Sequence, residues 1–529
     1  MRLESLHRTW FPSALAGALL LLSPFVVFIR YQDYSLSKPE TIACLAFLAA
    51  TGMVIGLLME LVGQYSRVLI FSFLITLHVD IQMQQPERAL ALWIVFGASL
   101  AVIWFLRNQL ARLGVLILMV LLVSSLFLPT GRVTSNQDIT AQSEFGNPKL
   151  PIFLHIILDE QIGVEGVPVE FDQDGRHAEA LRDFYLDWGF LVFGRAYSRY
   201  LNTWATIPNL CNFAAPEFRF YFCESADRRF VLTKNKYFDV MTEYGYQIHV
   251  YQTDYLDFCN DNSTANIASR FTCEQEAIKS IEDLPLSTRD KLPIILGVYS
   301  RLSDILGYLP IPQARISTLS SIALFERLRS HLLQASPGMM FVVHLLLPHS
   351  PYVFRSDCQL RDYREGWLME HDPRFLPDQN DAASRAKRYP LYLEQVACTN
   401  KKLGELFLAL AKAGKLENMA ILIHGDHGSR ISINQATLKH GRKPFTKADF
   451  VDVHSTLFAV KAPGIEAAYD RRILPVGSLF AAVILKGQIP PGVEWAGKQQ
   501  ILFKTGQAKM QPRPMPDFER ELRTYEPNR

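Results

Sequence analysis

Hydrophobic positions crowd into the first quarter of the chain and then change their rhythm. Before residue 131 they come in five long runs, at 11–30, 41–63, 68–83, 89–106 and 113–129. A helix needs roughly 20 apolar residues to cross the hydrocarbon core of a bilayer. Each run therefore predicts a membrane-spanning helix, the third being interrupted by His78 and Asp80. A cleavable signal peptide would not be followed by four more such runs. Residues 131–150 are polar, with Gly, Ser, Asn and Pro, and predict a linker.

Beyond the linker, short apolar runs alternate with amphipathic stretches. PIFLHIILDE, GFLVFGRAYS, YQIHVYQTD, GMMFVVHLLL, MAILIHGD and STLFAVKAPG read as buried strands. AEALRDFYLDW, ISTLSSIALFERLRSHLLQ and YPLYLEQVACTNKKLGELFLALAKA read as helices. Continuous apolar strands alternating with helices predict an α/β domain, 151–505, whose mainly parallel sheet is covered on both faces. The polar, Pro-containing stretch 506–529 predicts a peripheral tail.

Charge orients the helical part and excludes one class of function. Arg2 and Arg8 precede the first run, Arg67 separates the second and third, and Arg107 and Arg112 separate the fourth and fifth. Arg30, Lys38 and Arg88 fall on the other side. That bias places the N-terminus in the cytoplasm, and five spans then carry everything after about residue 130 to the outer side of an inner membrane. A net charge of +2 gives no electrostatic support to a nucleic-acid partner. Of seven cysteines, Cys44 lies in a run and six lie beyond the membrane region, a usage compatible with disulfides in an exported domain. The short separations Cys211/Cys223 and Cys259/Cys273 point to pairs, and no CxxC motif marks a structural zinc site.

In open α/β sheets, ligands bind beyond the carboxyl ends of the strands. Four places put chemistry there. Asp159 and Glu160 follow the first strand, and adjacent carboxylates offer hard oxygen ligands to a divalent cation. Standing alone, such a pair would read as a helix cap and a solvated acid. Asp426 and His427 follow a second strand between Gly425 and Gly428, an acid and an imidazole that suit zinc or manganese. His424, on that strand, reads as satisfied internally. His349 follows a third strand, flanked by Pro348 and Pro351, where it could bind a substrate anion or protonate a leaving group. His344 and His155 read as core. Thr203 and Thr206 follow a fourth strand, before Pro208, where a helix begins. A hydroxyl at a helix N-terminus gains from the dipole, and a neighbouring metal could turn it into a nucleophile. Without the other three places it would read as a cap.

These four sites, in this order, resemble the alkaline phosphatase superfamily. The nearest branch is the membrane-anchored, sulfatase-like one that includes lipoteichoic acid synthases and lipid A phosphoethanolamine transferases. The resemblance spans residues 150–465 and the several-helix N-terminal part, and Gly-Asp-His-Gly after a strand is its most specific element. It implies Glu160 as the first metal ligand, with Asp159 similar to the extra acid of true sulfatases. Thr203-Trp-Ala-Thr206-Ile-Pro208 repeats the transferases' spacing of a Thr five residues before a Pro, which implies Thr203 as nucleophile. His349 resembles the substrate-side histidine of a Pro-His-x-Pro-Tyr-like loop, and His454, in DVHSTLFAVKAPG, the late histidine before the last strand.

The resemblance thus implies one divalent cation, zinc before manganese or magnesium, held by Glu160, Thr203, Asp426 and His427 with Asp159 assisting. It implies a lipid donor, a phospho-threonine intermediate, and an envelope glycan or lipid acceptor, with His349 and His454 on the substrate side. The chain departs from two patterns. No Cys-x-Pro-x-Arg or Ser equivalent supplies a formylglycine, and only Cys211 flanks the nucleophile where phosphoethanolamine transferases carry a close Cys pair. Two other functions stay open: a sulfatase-like hydrolase with water as acceptor, and a catalytically inactive envelope scaffold.

Overall fold

The computed structural model describes residues 2–32, 34–61, 64–83, 89–106, 110–126, 146–214, 219, 221–224, 230–253, 255–259, 271–275, 281–282, 286–300, 317–362, 367–372, 380–434, 445–486, 500–506, 509–515 and 522. The chain divides into two units, one built from 1–134, 224–229 and 277–316 and the other from the rest. Most of the expected linker lies outside the described residues.

The first unit is helical: α1 (Arg2–Tyr31), α2 (Pro39–Leu61), α3 (Gln64–Met83), α4 (Ala89–Leu106) and α5 (Leu110–Leu126) form where the apolar runs predict them. By length and composition, two segments among the described residues could cross a membrane, Trp10–Arg30 and Pro39–Met59. The later helices carry shorter apolar stretches, Tyr65–Leu77, Leu90–Phe105 and Val115–Ser124. Small residues let α1 and α2 touch backbone to backbone. A Cβ on Gly52 would stand 2.3 Å from the Gly17 carbonyl oxygen, and one on Gly56 would stand 2.1 Å from that of Ser13. Such spacing is how helices pack closely where lipid offers no hydrophobic drive. A later helix, α9 (Thr288–Ser300), belongs to the same unit. Its Lys291 Nζ lies 3.4 Å from Glu40 Oε1, and the Tyr299 ring sits 5.3 Å from those of Phe25 and Phe28.

The second unit is built on an eight-stranded sheet. Its strands are β1 (Ile152–Leu158), β2 (Leu191–Phe193), β3 (Gln247–Gln252), β4 (Phe271–Gln275), β5 (Met339–Leu345), β6 (Met419–Gly425), β7 (Phe458–Lys461) and β8 (Ala468–Asp470). Their spatial order is β8-β2-β7-β6-β1-β5-β3-β4. All run the same way except β7, which is antiparallel to β6 and β2. The exception has a local cause. The Gly425 amide donates to the Leu457 carbonyl at 3.0 Å, so β7 starts at the edge where β6 ends and must run back.

Every residue of β1 and β5 is buried, as expected of strands covered on both faces. Helices α8 (Lys236–Tyr244) and α13 (Val476–Lys486) cover one face, placing Phe238, Met241, Phe480 and Ile484 against Ile157, Val250, Val342 and Leu422. On the other face Tyr251 stacks with Phe341 and meets His331 of α10 (Ser317–Gln334). In the β1–β6 and β1–β5 registers, Leu158 pairs with Gly425 and with Leu345. The three strands therefore end level, and the residues after them share one edge. The hairpin Gln500–Gly506/Lys509–Pro514 extends regular structure into the segment expected as a tail, and its Leu502 amide donates to the Arg199 carbonyl at 2.9 Å.

Disulfides join Cys259 to Cys273 and Cys358 to Cys398. Cys211 does not pair with Cys223. It ends its helix as a free, buried thiol inside the core cluster that includes Tyr237.

Candidate active site

The level strand ends fix the geometry. Both glycines of Gly425-Asp426-His427-Gly428 are demanded by close backbone approach: a Cβ would stand 2.2 Å from Thr456 Oγ1 at Gly425 and 2.3 Å from the Asp452 carbonyl oxygen at Gly428. That tight turn leaves Asp426 and His427 fully buried. The His427 Nδ1 lies 3.0 Å from the Gly428 carbonyl, which can only accept, so Nδ1 carries the proton and Nε2 faces the cluster with a lone pair. Nε2 stands 3.1 Å from Asp426 Oδ2 and 3.7 Å from Asp159 Oδ1.

Thr203 is the first residue of α7 (Thr203–Cys211) and is almost fully buried. Its Oγ1 donates to Asp159 Oδ2 at 3.1 Å and lies 3.4 Å from His427 Nε2. Thr206 turns inward, donating to the Asn202 carbonyl at 3.0 Å, so Thr203 alone of the two reaches the cluster.

Asp159 and Glu160 part company at the turn. Glu160 has φ 62°, a left-handed conformation that a side chain disfavours. Its amide donates to Asp426 Oδ1 at 3.1 Å. Its carboxylate, however, stands 3.5 Å from His349 Nε2 and 3.6 Å from Arg430 Nη1, and accepts from the Ser350 amide at 3.3 Å. The expectation ranked Glu160 first as a ligand; the geometry brings Asp159 to Thr203, Asp426 and His427 instead, because the backbone reverses between the two acids.

One ligand atom each from Asp159, Asp426 and His427 lies within 4.8 Å of the others. Among the described residues, no donor reaches the buried Asp159 Oδ1 or Asp426 Oδ2. Uncompensated carboxylate oxygens are costly in a protein interior, and a bound cation would relieve both. The donor set, two carboxylates, a neutral imidazole and a hydroxyl, fits a divalent metal. Burial and the neighbouring Asp159 push the Asp426 carboxyl well up, while burial holds His427 down to about 4. Burial would also raise Asp159, but His349, His344 and His427 around it hold its carboxyl below the usual range.

His349 follows β5 and is buried beside Glu160. His454, at the end of α12 (Lys447–His454), donates from Nδ1 to the Ser198 carbonyl at 3.0 Å and leaves a buried Nε2 with no hydrogen bond among the described residues. Burial lowers it to about 3.

The strand histidines split. His155 Nε2 lies 2.9 Å from His424 Nε2, and His424 Nδ1 lies 2.8 Å from the Gly425 carbonyl, so both are satisfied within the core. His344, read as core, stands 3.4 Å from Asp159 Oδ2. Arg430, Glu370 and His371 were missed altogether. Arg430 has φ 58°, and its Nη2 lies 3.3 Å from His371 Nε2 and 4.0 Å from Glu370 Oε1. The Arg430 signal was present, two residues beyond Gly-Asp-His-Gly; Glu370 and His371 follow no strand.

A mostly parallel α/β sheet with acids, a histidine and a buried hydroxyl at one strand-end edge accords with the class that the family match below shows: an enzyme of the alkaline phosphatase superfamily. More particularly, residues 191–450 match the Sulfatase family model, and the chain carries a sulfatase domain. That match includes Thr203, His349, Asp426 and His427. No curated protein matches the chain. Among solved structures, it is similar to the phosphonate monoester hydrolase of Agrobacterium radiobacter, at 12% identity over 67% of this chain and 80% of that one, TM-score 0.39. The C-terminal periplasmic domain of EcEptC from Escherichia coli, in complex with Zn, is also similar, at 12% identity over 70% and 94% of the two chains, TM-score 0.40. A 2-O GAG sulfatase matches at 14% identity over 66% and 73%, TM-score 0.36.

Proposed function

We propose that this chain is a membrane-anchored, metal-dependent transferase that moves a phospho-head group from a lipid donor to an envelope glycan or lipid. The observation that carries the reading is the Thr203 hydroxyl, held at a helix start 3.1 Å from Asp159 beside two carboxylate oxygens to which no described residue donates. Asp159, Asp426, His427 and Thr203 would hold one divalent cation, zinc first and manganese or magnesium second. A cation bound there lowers the pKa of a coordinated hydroxyl and stabilises developing negative charge.

Thr203 Oγ attacks the donor's phosphorus, its proton passing to Asp159 Oδ2, the acceptor it already faces, and returning when Thr203 leaves. A new P–O bond forms, the bond to the lipid alcohol breaks, and the alcohol departs with a proton. His349 is the group to supply it. Its Nδ1 proton is committed to the Ser350 carbonyl at 2.5 Å, and its Nε2 faces Glu160 Oε1 at 3.5 Å. A lone pair facing a carboxylate repels, so a proton resides on one of the two. In the second step the acceptor hydroxyl attacks the phospho-threonine, its proton passing back to the same pair, and Thr203 is regenerated. His454 Nε2 would stabilise the non-bridging oxygens.

Two apolar helices of spanning length support the anchor, and two disulfides support an oxidising compartment for the catalytic unit. The full placement is a multi-pass inner-membrane protein with five spans and a periplasmic catalytic side. Mass spectrometry after incubation with native membrane lipids tests the chemistry: an adduct on Thr203 is expected, and its mass names the group moved. The sulfatase match also accommodates a hydrolase, which would release that group to water without an added acceptor.

A further inference from the structure

The segment that follows β5 carries His349 but has no regular structure to hold it. Buried backbone groups need partners, and two prolines, Pro348 and Pro351, remove amides from this stretch. One side chain supplies most of what is missing. Gln395, fully buried on α11 (Ala382–Lys412), shares its two Nε2 hydrogens among the carbonyls of Pro348 at 3.0 Å, His349 at 2.8 Å and Pro351 at 3.4 Å. Its Oε1 accepts from the amides of Val353 at 2.8 Å and Phe354 at 3.1 Å. Thr318 of α10 adds a second donor to the His349 carbonyl at 3.2 Å. Three residues along the same helix, Cys398 is bonded to Cys358 at the far end of the segment. Positions i and i+3 share a helix face, so α11 grips the segment at two points.

The chemistry of the grip is specific to a primary amide of this length. A carboxylate would face three carbonyl oxygens. A thioether would leave five backbone groups without this partner, and each unmet buried group weakens the arrangement.

We propose that Gln395, backed by the Cys358–Cys398 disulfide, is the positioning residue for His349, setting the backbone from 348 to 354 so that the imidazole stands beside Glu160. Gln395 touches no reacting group and acts through the loop. The inference rests on the reading of His349 as a group that acts on the substrate.

The test is a double-mutant cycle in the full-length, zinc-loaded enzyme, following release of a dansyl-tagged primary alcohol from its phosphodiester, a leaving group that needs a proton, by wild type, Q395M, H349A and the double variant. Q395M is expected to lower kcat tenfold or more with KM little changed. In the H349A background the same change should cost less than about twofold, because no imidazole remains to be placed. Equal losses in both backgrounds, or an unimpaired Q395M, would overturn the inference. If Q395M does not fold, the pair C358S/C398S takes its place in the cycle, with the same non-additivity expected and the same additivity fatal. A T203A variant as active as wild type would instead sink the underlying transferase reading. An inactive T203A with an additive cycle would sink the Gln395 inference alone.

Discussion

Asp159 and Glu160 are neighbours in the chain, yet their carboxylates serve different partners: Asp159 Oδ2 accepts from Thr203 Oγ1 at 3.1 Å, and Glu160 Oε1 stands 3.5 Å from His349 Nε2. The left-handed turn at Glu160 separates them, and such a backbone costs about 1–2 kcal/mol for a residue with a side chain. It is held by the Tyr392 hydroxyl, which donates to the Glu160 carbonyl at 2.6 Å, and by the Glu160 amide on Asp426. The turn thus splits one acidic pair between Thr203 on one side and His349 on the other.

The two acids should therefore fail differently. Asp159→Asn is expected to lose both bound metal and turnover. Glu160→Gln is expected to keep its metal and lose turnover, because the proton shared with His349 is disturbed. Metal content by plasma emission, read beside activity, separates the two. A metal-free E160Q with a fully loaded D159N would reverse the assignment.

Metal removal should also be visible in stability. Two carboxyl groups are buried together at the cluster, and a cation that binds only the folded state stabilises it by about 2.7 kcal/mol at a hundredfold excess over Kd. Chelation is expected to lower the melting temperature and abolish turnover together, and added zinc to restore both. A melting curve indifferent to chelator and zinc would count against a structural cation at Asp159, Asp426 and His427.

Much of this arrangement was legible before any coordinates, for a physical reason. Apolar strands of a parallel sheet announce their own ends, and Asp159, Asp426 and His349 each follow such an end. The spacing from Thr203 to Pro208 singled out the hydroxyl that stands 3.1 Å from Asp159. What could not be read depends on backbone torsion or on contacts distant in sequence. The choice between Asp159 and Glu160 turns on a single φ. His344 looks like any core residue of an all-buried strand, and only its height along β5 brings it to Asp159. The direction of β7 follows from one hydrogen bond to Gly425, which an apolar pattern cannot express. Cys211 sits at a plausible pairing distance in sequence, but its helix points it into the core.

Acid should weaken the catalytic unit through two buried histidines of the sheet, His155 and His249. Burial holds His249 down to about 4, and burial with the nearby His424 holds His155 well below the ordinary value. Both stay neutral in the folded state while the unfolded chain takes up protons near pH 6.5. The unfolded state then binds more protons, so stability is unaffected above that pH and falls as pH drops from about 6.5 toward 4. Each histidine contributes at most about 1.4 kcal/mol per pH unit across that window. Urea unfolding at pH 7.5, 5.5 and 4.5 checks this; equal stability at all three would contradict the burial of neutral imidazoles.

Behind the Gly-Asp-His-Gly turn, Arg385 and Asp452 should prove strongly coupled. Arg385 Nη2 donates to Asp452 Oδ2 at 2.7 Å and its Nε to the Ile431 carbonyl at 2.9 Å, while the Tyr389 hydroxyl takes Asp452 Oδ1. The Asp452 carbonyl in turn accepts from the Arg430 amide at 3.0 Å, so the pair also shapes the backbone that carries Arg430. Burial raises the Asp452 carboxyl to about 7 even though Arg385 and Tyr389 oppose the rise. Arg385→Met removes the cation and leaves that acid buried, a change that costs about 3–5 kcal/mol when one member of a buried pair is lost. Adding Asp452→Asn should recover part of the loss, since a neutral amide needs no countercharge. Chemical denaturation of the two singles and the double measures the coupling. A double variant less stable than R385M, by the full cost of D452N alone, would show that the two side chains act independently.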